Sequence, residues 1–151
     1  MKGPPDWLIV AAAGAGFLVL TRYAPAIGGG YSNPIKAFAA AIARAEGFTV
    51  TNSIPARAHN PGNLVIPGWT GPTLGAERIS VFSSNAEGWE RLFRQLQLIV
   101  DGRSLYSLDW TIGQMGDRWA PAATNPGGHW ARNVAAALGV SVNTRLRDVL
   151  T

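Results

Sequence analysis

The chain has 151 residues, 47% of them hydrophobic, and carries 13 lysines and arginines against nine acidic residues, a formal charge of +4. That length and apolar content suffice for one domain with a real core. The absence of cysteine excludes disulfides and thiolate metal sites, and the scattered arginines form no run of the kind that tracks a nucleic-acid backbone.

Residues 7–21 form an uncharged block between Asp6 and Arg22. It is slightly shorter than the roughly 20 residues that cross a bilayer, but Trp7, Arg22 and Tyr23 can sit at the interfaces. The expectation is an N-terminal transmembrane helix within an anchor spanning 1–26. A cleaved signal peptide is the competing reading, from Lys2 and the small residues of Ala24-Pro25-Ala26. Pro25 and Asp6 weigh against cleavage, so a retained anchor is favoured. Residues 27–32, with Gly28-Gly29-Gly30, read as a flexible linker before a domain over 33–151.

Asn33 followed by Pro34 predicts a helix start, with Asn33 as N-cap and Gly47 as the stop. Ile35, Phe38, Ala39 and Ile42 share a stripe. At about 100° per residue, Glu46 falls roughly 20° from Ile35 around the axis and continues that apolar face. A carboxyl drawn out of water there has its pKa raised and can hold a proton for a leaving oxygen. The plainer alternative is a glutamate that ends its helix in solvent, against the macrodipole.

Arg57-Ala58-His59-Asn60-Pro61-Gly62-Asn63-Leu64 follows. Asn60 to Asn63 make a tight turn whose amides can hold the loop or meet a sugar's acetamido and hydroxyl groups. Arg57 is expected to brace that loop by bonding carbonyls, with an ion pair to Glu46 as the alternative. Leu64–Trp69 and Arg78–Phe82 predict a small β-hairpin. Ser84 and Glu87 predict a capping box opening a long helix that Gly102 stops. Shorter helices are expected over Ser107–Met115, His129–Leu138 and Asn143–Leu150. The fold class is mainly α (α+β).

Glycoside cleavage needs a proton donor and usually a second carboxylate. Capping, helix pairing or helix ends explain most acidic residues; Glu77 and Asp117 remain as candidates for a second carboxylate. There is no G-x-S-x-G elbow for a serine triad, and His59 and His129 lack partners at ligand spacing, so no metal is expected. No phosphate loop follows a strand, so no nucleotide cofactor is expected. Trp69, Trp119 and Trp130 can stack on sugars, although core packing is the commoner use of tryptophan.

The set Ala45-Glu46-Gly47-Phe48, Arg57-x-x-Asn60-Pro61-Gly62-Asn63-Leu64, Phe82, Gly88-Trp89 and Trp119-Ala120-Pro121 before Asn125 resembles the small lysozyme-like lytic transglycosylases of phages, including membrane-associated virion proteins of tailless phages with an internal membrane. The resemblance covers about residues 34–150 and implies a lysozyme-like domain. It also implies Glu46 as general acid and base, with Arg57, Asn60, Asn63, Phe82, Trp119 and Asn125 in substrate binding. The implied partners are peptidoglycan glycan strands, a virion or bacterial inner membrane, and other virion membrane or capsid proteins. The implied setting is phage entry, with no cofactor and no nucleic acid. The chain departs from the pattern over Ala122–Gly128 and at His59, where asparagine is common. A non-catalytic envelope or virion protein and a hydrolytic lysozyme are the alternatives.

Overall fold

Ser32, not Asn33, caps the first helix: its hydroxyl accepts the Ile35 N–H while Pro34 occupies the first turn, where no amide hydrogen is needed. In this computed structural model, which describes residues 10–11, 30–121 and 125–151, helix α1 then runs Asn33–Ala45 and ends on Glu46, with left-handed Gly47 beyond it. Its alanines at 39, 41, 43 and 45 are buried. Small side chains let the neighbouring helices approach closely, and α1 packs against three of them.

A short helix, α2 (Ile54–Arg57), follows under a Ser53 cap. Strand β2 (Leu64–Val65) pairs antiparallel with β1 (Val10–Ala11), Ala11 opposite Leu64. The hairpin forms instead between β3 (Thr73–Leu74) and β4 (Ile79–Ser80), displaced from the predicted Leu64–Trp69. The reason is local: Trp69 Nε1 donates to the Pro72 carbonyl at 2.9 Å, folding the Trp69–Pro72 stretch into a turn, and left-handed Gly75 and Arg78 close the hairpin.

The central helix α3 (Asn85–Val100) is capped by Ser84, which accepts the Glu87 N–H. The Glu87 carboxylate returns one residue further than a capping box requires, to the Ser83 N–H and hydroxyl, and pairs with Arg91. Helix α4 (Ile112–Trp119) starts later than Ser107 because Thr111 and Gln114 make the full capping box. Helix α5 spans His129–Leu138 and stops at left-handed Gly139, as the sequence predicts. The last helix, α6, shrinks to Arg147–Leu150: the backbone before it bonds to residues 110–113, with Ile112 N–H on the Thr144 carbonyl and Gly113 N–H on that of Val142.

The architecture is therefore α+β, helices with two small two-stranded sheets. Helix α1 lies against α3, α5 and α6, and α5 against α4. One core joins them, with Phe38, Phe93, Leu96, Trp119 and Trp130 fully buried.

Most of the predicted membrane segment, and of the linker before Gly30, lies outside the described residues. Val10–Ala11, inside that segment, is strand rather than helix; β2 offers backbone groups that an extended partner satisfies. Among the described residues no helix is long and apolar enough to cross a membrane. Tyr31 and Ser32 belong to the domain rather than the linker, since Tyr31 packs on Phe93 and donates to Glu90.

Candidate active site

Glu46 is 1% exposed, at the C-terminal end of α1. Its Oε1 accepts two indole N–H groups, from Trp130 at 2.8 Å and Trp119 at 3.1 Å. The Asn63 side chain also hydrogen-bonds the carboxyl. Burial pushes the pKa well above the ordinary carboxyl value, and it outweighs the opposing pull of the bonds from Trp130, Trp119 and Asn63. The other oxygen, Oε2, is buried and has no hydrogen-bond partner among the described residues. The carboxyl is thus held through Oε1, and burial favours its protonated form relative to a carboxyl in water.

The packing of α4 on α5 aims both indoles at one atom. Gly116 lets the helices touch: a methyl group there would come within 2.9 Å of Ala131 Cβ and 3.1 Å of Trp130 Cε3. The Trp119 and Trp130 rings stack with centroids 5.7 Å apart and planes 25° from parallel. Asn125 fastens the junction, donating to the Ala120 carbonyl and accepting the Trp130 N–H.

The Asn60–Asn63 turn is built around Asn60, which is 0% exposed. Its Oδ1 accepts the Leu64 N–H, while Nδ2 donates to the carbonyls of Leu64 and Ser80, each at 2.9 Å. Both ends of the amide are committed to backbone. Asn63 sits in the left-handed region, φ 51°, which asparagine tolerates, and this puts its side chain beside Glu46.

The other predicted contacts fall into two groups. Trp119 and Asn125 are buried supports of Glu46 rather than open sugar platforms, and Trp130 joins them. Phe82 is buried, with its N–H on the Ala58 carbonyl and its ring edge-on to half-buried Trp69; Arg91 lies over both rings. Arg57 is exposed, and among the described residues its guanidinium neither braces the loop nor pairs with Glu46. Glu77 and Asp117, the candidate second carboxylates, are both exposed, unlike Glu46.

Sequence reasoning missed that both tryptophans serve the carboxyl, because stacking and core packing use the ring faces and say nothing of the N–H. It also passed over Gln95, buried in α3. The signal was present, since Gln95 interrupts an apolar stripe at helical spacing as Glu46 does. No protein-family model, curated protein or solved structure matches this chain.

Proposed function

We propose that this protein is a lytic transglycosylase that cuts peptidoglycan glycan strands between N-acetylmuramic acid and N-acetylglucosamine, with Glu46 as its single acid and base. The observation that supports this reading best is the carboxyl itself: desolvated, fixed through Oε1 by two indole N–H groups, with Oε2 unpartnered. In the proposed reaction Oε2 gives its proton to the glycosidic oxygen as the bond to the anomeric carbon breaks. The C6 hydroxyl of the same muramoyl residue then closes on that carbon and returns its proton to Glu46. Protons balance, water is not consumed, and the product is a 1,6-anhydro end. A second carboxylate is not required, in keeping with the exposure of Glu77 and Asp117.

The resemblance in sequence supports the same reading, and with it a virion-associated role in phage entry. The uncharged N-terminal block supports membrane association of the enzyme, with Val10–Ala11 inside it paired to β2. Since Glu46 is closed off from solvent, a glycan reaches it only after neighbouring groups shift.

A second reading, a non-catalytic virion or envelope protein, draws on the same burial: Asn60, Trp119 and Asn125 spend their polar groups inside the fold. Mass spectrometry of digested sacculi separates the readings. Anhydro ends are expected, with a loss of about 10²- to 10⁴-fold in Glu46→Gln. Reducing ends would instead mean a hydrolase, and intact strands a structural protein.

A further inference from the structure

Helix α3 carries a polar side chain where its neighbours are apolar. Gln95 is 1% exposed, and among the described residues neither its amide oxygen nor its nitrogen has a hydrogen-bond partner. Burying an amide unpaired is destabilising, and a leucine or methionine would relieve it. Its place on the helix says what it faces. Gly88 and Gln95 are seven residues apart, so they project within about 20° of each other, roughly 10 Å apart along the axis.

Gly88 lies against the His59 carbonyl and Pro61, and Leu92 meets Gly62. The turn that carries Asn63 to Glu46 therefore runs along α3 towards Gln95. Glu46 Oε2 is, like the Gln95 amide, buried without a partner among the described residues.

We propose that Gln95 is a substrate-binding residue of the Glu46 site and that its amide takes the acetamido group of an N-acetylated sugar. The assignment rests on the glycan-cleaving reading above. Nε2 donates to the acetamido carbonyl, and Oε1 accepts a hydroxyl of the same sugar. An uncharged amide in a desolvated site also discriminates against a deacetylated sugar, whose ammonium would be stripped of water without a counter-charge.

The test is a tryptophan-fluorescence titration of the full chain with an N-acetylglucosamine tetramer and with its deacetylated counterpart. Wild type should prefer the acetylated tetramer by roughly tenfold or more. Gln95→Met should abolish that preference while melting at or above the wild-type temperature, and Gln95→Leu repeats the measurement with a second side chain. Retention of the preference in a folded variant overturns the assignment, as does equal affinity of wild type for the two tetramers, which needs no variant. If wild type ignores both tetramers yet releases anhydro ends from sacculi, Gln95 loses this role and the activity stands. If it neither binds nor cleaves glycan, both readings fail.

Discussion

A carboxyl group at the foot of α1 has its pKa raised because burial dominates its surroundings, even with two indoles and an amide favouring the anion. The consequence for stability has a definite sign. Below about pH 4.5, the ordinary value, folded and unfolded chains are both protonated at this position. Above it the unfolded chain ionises first, so the contribution of Glu46 to stability falls as pH rises, by about 1.4 kcal/mol per unit, until the folded group ionises too. Glu46→Gln lacks that slope and keeps an oxygen for the indoles. Urea unfolding of both proteins across pH should show the variant gaining on wild type from about pH 4.5 upwards. Parallel curves would mean that burial does not raise the Glu46 pKa.

Among elements, the decisive contact is the Asn60–Asn63 turn lying on α3. A methyl group on Gly88 would overlap the His59 carbonyl and crowd Pro61, and neither backbone nor proline ring yields cheaply. Gly88→Ala should cost about 1–3 kcal/mol and, on the proposed reading, lower glycan cleavage more than stability alone explains, because it lifts Asn63 away from Glu46. A variant equal to wild type in both thermal melting and turnover would show that the turn does not position the acid. Several elements were legible from short-range chemistry, such as α5 ending at Gly139 and the Ser84 cap of α3. Others were not, because competing local partners lay a few residues away: Ser32 displaced Asn33 as cap, and Thr111 with Gln114 displaced Ser107.

The whole molecule joins a helical core to an N-terminal apolar block. On the proposed reading that block tethers the enzyme, so the full chain should sediment with phospholipid vesicles. A chain beginning at Gly30 should remain in the supernatant and still unfold cooperatively, at a lower temperature because it lacks β1, since Tyr31 and Ser32 secure the start of α1. A full chain that stays in the supernatant would remove the tether.

The sequence alone determined that Glu46 lies on an apolar helix face, because helical periodicity is a local property fixed by residue spacing. It also marked the Asn60–Asn63 turn, whose residues favour that backbone on their own. Only the tertiary structure decided what surrounds the carboxyl. Trp119 and Trp130 lie 73 and 84 residues from Glu46 in the chain, and their convergence on one oxygen depends on α4 meeting α5 across Gly116. Such long-range placement follows from how helices pack, which no window of the sequence encodes.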